Sequence, residues 1–157
     1  MSSPTASWPR RRPWRPADPK DEATQLGPLA SQEHYKKVRS YLDGIEADGG
    51  TIRTGGLGAG WVVLPTVVED VPPTARICRE EVFGPVVTVT PFDTDEEAVA
   101  QANDTRYGLN AMVFTENLSR AHRAAAALKA GTVWVKFAAL AEGAEFFTEP
   151  KAVVVQV

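Results

Sequence analysis

Sulfur is nearly absent from this 157-residue chain, which has one cysteine, Cys78, and two methionines. A single thiol excludes an intrachain disulfide framework and fits a reducing compartment, so a cytoplasmic location is expected. No apolar run approaches the ~20 residues a membrane span needs. Residues Met1 to Ala17 lack the apolar centre of a secretory signal. Acidic residues are missing from that same stretch, where Arg10, Arg11, Arg12 and Arg15 are the only charges. Taking those four from the 17 basic residues leaves 13 for the rest of the chain, against 20 acidic ones. An acidic body offers no footing for nucleic acid. Histidine is scarce too. His34 and His122 have no Cys or Asp at ligand or triad spacing; His122, on an alanine-rich helix, reads as structural, and no metal site is expected.

What is present is the composition of one globular domain, 43% hydrophobic and 24% charged, long enough to bury a core. Residues 1–17 form a basic, proline-rich leader. Pro4, Pro9, Pro13 and Pro16 each remove a backbone donor, so no regular structure is expected there. From Asp18 the texture changes. Gly27-Pro28-Leu29 reads as a turn. Ser31 then caps a predicted helix to about Asp48, whose Tyr35, Val38, Leu42 and Ile45 form one apolar stripe. Gly49-Gly50 ends it. A short strand over Thr51–Thr54 and a second over Trp61–Val68 follow, the latter interrupted by Pro65 and therefore expected at a sheet edge.

Between these strands lies Gly55-Gly56-Leu57-Gly58-Ala59-Gly60. It fits no register of Gly-x-Gly-x-x-Gly and no helix follows it to meet a pyrophosphate, so it reads as a hairpin loop. Further on, a short helix is predicted over Thr74–Glu81 and a strand over Val86–Phe92. Thr94 and Glu97 have capping-box spacing ahead of a helix to about Ala102, with Ala98, Val99 and Ala102 inward. Strands over Asn110–Thr115 and Thr132–Phe137 flank an alanine-rich helix over Leu118–Lys129. This alternation predicts parallel pairing with right-handed crossovers, an α/β fold. Ala152 to Val157 reads as a last strand.

Three segments occur in fixed order: Arg79-Glu80-Glu81-Val82-Phe83-Gly84-Pro85-Val86, then Asn103-Asp104-Thr105-Arg106-Tyr107-Gly108-Leu109, then Ala130-Gly131-Thr132-Val133-Trp134-Val135. Together they resemble the carboxy-terminal, catalytic-domain half of the aldehyde dehydrogenase superfamily, from about Asp18 to Phe137 and again from Glu142. The resemblance implies a parallel-sheet catalytic domain, incomplete, over residues 18–141. It also implies an assembly-type strand over 142–157, whose Glu145-Phe146-Phe147-Thr148-Glu149-Pro150-Lys151 is similar to the family's closing segment. In the family a cysteine thiolate attacks an aldehyde, hydride passes to NAD or NADP, and a glutamate-activated water releases the acid. Glu81 matches the acceptor for the ribose hydroxyls beside nicotinamide, which suits a carboxylate that only accepts. Phe83 matches the aromatic that packs near the nicotinamide ring. Gly84 and Pro85 shape the turn presenting both. Asn103, Tyr107 and Gly108 read as turn and packing residues.

The departures are equally informative. The family's nucleophile lies in another motif, and Cys78 reads as a small packing residue, although Arg76 and Arg79 keep a reactive role open. No catalytic residue is therefore assigned. The general-base glutamate, the oxyanion-hole asparagine and the dinucleotide-binding half have no counterpart here. Lys136 stands where the family usually has asparagine, and a deletion is expected between Phe137 and Glu142. Its loss is expected to leave an uncovered sheet edge, an exposed apolar patch and marginal stability. The first expectation for function is a family member inactive by itself. The second is an interaction subunit joining homo- or hetero-oligomers through the last strand. The third is a binding module using Arg10 to Arg15.

Overall fold

The computed structural model describes residues 18–136. The basic leader, the junction near 137–142 and the closing strand over 142–157 lie outside the described residues.

The first helix, α1, spans Gln32–Leu42. Ser31 is its extended N-cap, with Oγ accepting from the His34 N–H at 3.1 Å, which satisfies one of the orphan donors of the first turn. The helix stops six residues before the predicted end. Past Leu42 the hydrogen bonds tighten, Gly44 N donating to Tyr41 O and Ile45 N to Leu42 O. Asp43, Gly44 and Asp48 are poor helix formers, and they favour such turns. The apolar stripe nevertheless continues: Val38 and Ile45 are both 0% exposed, with Tyr41 and Leu42 beside them. Gly49 then turns the chain at φ 83°. The predicted turn at Gly27-Pro28-Leu29 is without regular structure, held by the Leu29 N–H donating to Trp61 O.

Strands β1 (Thr51–Leu57) and β2 (Val63–Glu69) form an antiparallel hairpin. The expected hairpin is there, but β1 runs on through Gly55 and Gly56, and the turn is confined to about Gly58–Val62. Gly55, at φ 89°, sits on the register shift, where a Cβ would collide with the Pro65 carbonyl and Thr66. That irregularity explains Pro65. Despite the proline, β2 lies not at an edge, as expected, but in the centre of a three-stranded sheet ordered β1-β2-β3. The proline's missing donor falls inside the bulge opposite Gly55–Gly56, and the parallel ladder to β3 starts only at Thr66. Bulges are among the few places a sheet tolerates proline.

The predicted 74–81 helix is a single turn, α2 (Arg76–Arg79), and β3 is confined to Val86–Val89. Helix α3 (Asp95–Asn103) has the anticipated cap: Thr94 Oγ1 accepts from Glu97 N, while Glu97 Oε2 reaches back to Asp93 N. Strands β4 (Asn110–Phe114) and β5 (Thr132–Lys136) pair in parallel across α4 (Leu118–Ala127). The expected parallel pairing thus holds within β4–α4–β5 and between β2 and β3. It does not run continuously from β3 to β4 among the described residues: β3 pairs with β2 at the margin of one sheet, and β4 with β5 in another.

The main core gathers α1, β2, α2, Val71 and Val86. Outside it, Ala98 on α3, Val113 on β4 and Ala121 on α4 are also buried. Truncating the most enclosed side chain should be costly and truncating an open one should not. Ile45→Ala is expected to lower unfolding stability by about 2–5 kcal/mol, read as a shift of the urea midpoint. Trp134→Ser, at a position 57% exposed, should change it by about 0.5 kcal/mol or less.

Candidate functional site

The segment from Glu80 to Pro85 lies against α1, and each step of contact has a cause. Tyr41 Oη donates to Glu80 Oε2 at 2.7 Å, and Arg76 Nε holds the same oxygen at 2.9 Å. The Arg76 guanidinium lies over the Tyr41 ring, 4.1 Å from its centre. Tyr41 and Arg76 together hold the Glu80 carboxyl below its usual range, the hydrogen bond from Tyr41 contributing most. The first glutamate of the Glu-Glu pair is therefore committed to structure. It is a tie between α1 and α2 rather than a reacting group.

One turn of α1 earlier, Val38 presses on Gly84. A Cβ at Gly84 would stand 3.0 Å from both Val38 methyl groups, tighter than ordinary van der Waals contact, so a side chain there would require Val38 or the turn to give way slightly. Pro85 completes the turn. Val86 N donates to Gly84 O at 2.7 Å, and Pro85 O accepts from Thr66 N at 2.8 Å, hooking the turn to β2. Between these anchors Phe83 adopts φ 55°, a left-handed conformation that costs a bulky residue on the order of 1–3 kcal/mol. Its ring is 66% exposed. Lys37 Nζ stands 5.6 Å from the ring centre, and His34 Nε2 lies 2.5 Å from the Phe83 carbonyl oxygen. Sequence reasoning left His34 without a partner. The two residues are 49 positions apart, and no local signal announces the contact. His122 is exposed on α4.

Glu81 is half-buried next to this ring-bearing turn. The Arg106 guanidinium is held above its ordinary range, first by its bond to Tyr107 Oη and further by the charges of Glu80 and Glu81. Both acids thus lie in the electrostatic reach of Arg106.

A polar cleft of about 550 Å³ opens beside α2, lined by Arg79, Glu80, Asn103, Asp104, Thr105 and Arg106. Its polar walls already have partners, some within the cleft and some behind it. Arg79 meets Asp104 twice, Nη2 to Oδ2 at 2.7 Å and Nη1 to the carbonyl oxygen at 2.8 Å. That bidentate pair joins the end of α2 to the C-cap of α3 and holds the Asp104 carboxyl below its usual range. Asn103 donates to Ala127 O and accepts from Lys129 N, so it ties the end of α3 to the end of α4. Gly108 O accepts from Gly131 N, and a Cβ on Gly108 would sit 2.7 Å from the Lys129 carbonyl oxygen. Asn103 and Gly108 therefore do the turn and packing work expected of them.

Cys78 packs against the main core. Burial pushes its thiol up; Arg79 and a bond with Thr88 oppose this without reversing it. A nucleophile requires the opposite shift. Among the described residues, no three His, Cys, Asp or Glu side chains group as a metal site.

A sequence profile described as the aldehyde dehydrogenase family matches residues 10–147. The chain belongs to the aldehyde dehydrogenase family. It is 48% identical over 124 residues to betaine aldehyde dehydrogenase of Cereibacter sphaeroides, a match covering 77% of this chain and 26% of that protein. It is 45% identical over 127 residues to the peroxisomal aminoaldehyde dehydrogenase 1 of Pisum sativum, covering 78% and 25%. The fold agrees with a betaine aldehyde dehydrogenase from Staphylococcus aureus in complex with NAD+ at a TM-score of 0.72 and 41% identity, covering 78% of this chain and 26% of that one. An indole-3-acetaldehyde dehydrogenase mutant of P. syringae, in complex with NAD+ and IAA, gives a TM-score of 0.74 at 45% identity, with the same coverage. The chain spans about a quarter of the length of the aldehyde dehydrogenases it matches.

Two measurements check these electrostatics. Alkylation of Cys78 should follow a pH profile displaced to higher pH than that of an unhindered thiol; a profile displaced downward would contradict a packing role. Glu80 and Asp104, held below their usual range when folded, contribute stability that is complete above about pH 5 and lost as pH falls through their folded values. The melting temperature should therefore drop on acidification below that range, and drop less in Glu80→Gln than in the parent.

Proposed function

We propose that this aldehyde dehydrogenase chain forms the cofactor-positioning face of a catalytic domain over residues 18–141 and is inactive by itself. Glu81 accepts hydrogen bonds from the ribose hydroxyls next to nicotinamide, and Phe83 packs against the nicotinamide ring of NAD or NADP. When bound, the dinucleotide would supply the hydride acceptor for the oxidation of an aldehyde. This chain's residues orient it and do not attack the aldehyde. The observation that carries the reading is Phe83, an aromatic ring left open to solvent on a strained backbone, beside a carboxylate that can only accept. Strain of this kind persists where the surroundings hold it in place. The raised thiol of Cys78 supports the absence of a nucleophile in this face.

The aldehyde, the assembly through 142–157 and the cytoplasmic location belong to the same reading. No described helix is long and apolar enough to cross a membrane, and the acidic body argues against nucleic acid as a partner. An interaction subunit is the second reading. It is favoured by Leu109 and Trp134, 76% and 57% exposed at the β4–β5 pair, where a full-length relative could dock.

The test is a titration of the isotopically labelled chain with NAD+ and NADP+, followed by amide NMR. Shifts should concentrate on Glu81 to Gly84. Phe83→Ala should weaken binding several-fold, on the order of the 0.5–1.5 kcal/mol an aromatic pair contributes. Aldehyde-dependent reduction of either nucleotide should be undetectable. Perturbations that avoid this segment, or turnover by the purified chain, would refute the reading.

A further inference from the structure

Four contacts place one stripe of α1 against the turn: Tyr41 on Glu80, Val38 on Gly84, Lys37 over the Phe83 ring, and His34 on the Phe83 carbonyl. Positions 34, 37, 38 and 41 recur at the three- and four-residue spacing that lines one helix face. The first and last contacts are polar and bracket the strained residue. A carbonyl oxygen can only accept, so the His34 Nε2 facing it carries the proton, either as the neutral Nε2–H tautomer or as the cation. Ser31 fixes the first turn of α1 by capping the His34 amide itself. The histidine thus stands on a rigid support, its ring aimed across to the turn.

We infer that His34 is a positioning residue. By donating to the Phe83 carbonyl it holds Phe83 in its left-handed conformation and keeps the ring presented beside Lys37. Gly84 and Pro85 bring the turn to the helix, but neither donates to the Phe83 carbonyl: Gly84 N belongs to the same peptide unit and Pro85 has no N–H. Without the donor, Phe83 relaxes toward an ordinary extended backbone and its ring leaves Lys37. The consequence for a nucleotide rests on the nicotinamide-facing reading of Phe83. The conformational role does not.

The experiment separates the two. In the labelled, unliganded chain, nuclear Overhauser contacts between the Phe83 ring and the Lys37 methylenes are measured for the parent, His34→Ala and His34→Gln, together with thermal melts. His34→Gln retains an N–H donor of similar reach. The contacts should persist in the parent and in His34→Gln and be lost in His34→Ala, with all three chains melting cooperatively. Contacts that survive in His34→Ala, or vanish equally in both variants, would overturn the inference. The same three chains are then titrated with NAD+. His34→Ala should bind about five-fold more weakly, as expected when the competent conformation is only partly populated, and His34→Gln should bind as the parent does. Should the parent show no response to NAD+ while the ring contacts still depend on the donor, the positioning role stands and the nicotinamide reading fails.

Discussion

The structure depends on one constraint: a single face of α1 must serve as a wall of the main core and as the seat of the Glu80–Pro85 turn. Val38 shows how tight that requirement is. It is fully buried in the core and at the same time lies so near Gly84 that a Cβ there would crowd both of its methyl groups. Protein interiors are packed at the density of organic crystals, so an added methyl group there would have to be met by a shift of Val38 or of the turn. Tyr41 repeats the arrangement in polar form. Its ring is buried with the core while its hydroxyl reaches out to Glu80. The Glu-x-Phe-Gly-Pro geometry is therefore a property of the helix it rests on as much as of its own residues.

The second unit, β4–α4–β5, is attached more lightly. Arg79 and Asp104 join α2 to the C-cap of α3, which leads into this unit, and both are substantially exposed; such a pair fixes orientation more than it adds stability. Parallel sheets are ordinarily covered on both faces. In and beside this pair Leu109, Trp134 and Val135 stand exposed, and the match to the relatives covers about a quarter of their length. The two features agree: this part of an aldehyde dehydrogenase fold carries apolar surface that its described residues do not cover.

Much of this was legible locally. Ser31 and Thr94 announced their helices because capping is settled within four residues. The stripe through Val38, Leu42 and Ile45 announced the core face because helical periodicity is a local property. The motif around Glu81 and Phe83 announced the family because its residues are contiguous. Errors fell where distant segments arbitrate. Pro65 looked like an edge residue, since nothing nearby reveals that Gly55 and Gly56 open a bulge across from it. The helix seemed to run to Asp48, since a stripe that continues through tight turns has the same apolar positions as one that continues through a helix.

The amino-acid order by itself determined the helix starts, the hairpin, the buried stripe, the parallel βαβ unit and the family, all of which follow from short-range sterics, capping and hydrophobic period. Tertiary structure alone decided that β2 is central, that Glu80 is a strut while Phe83 stays open, and that His34 meets the Phe83 carbonyl. Each of these is a meeting between groups far apart in the chain, and such meetings are set by which surfaces pack together, a choice that no short window of residues contains.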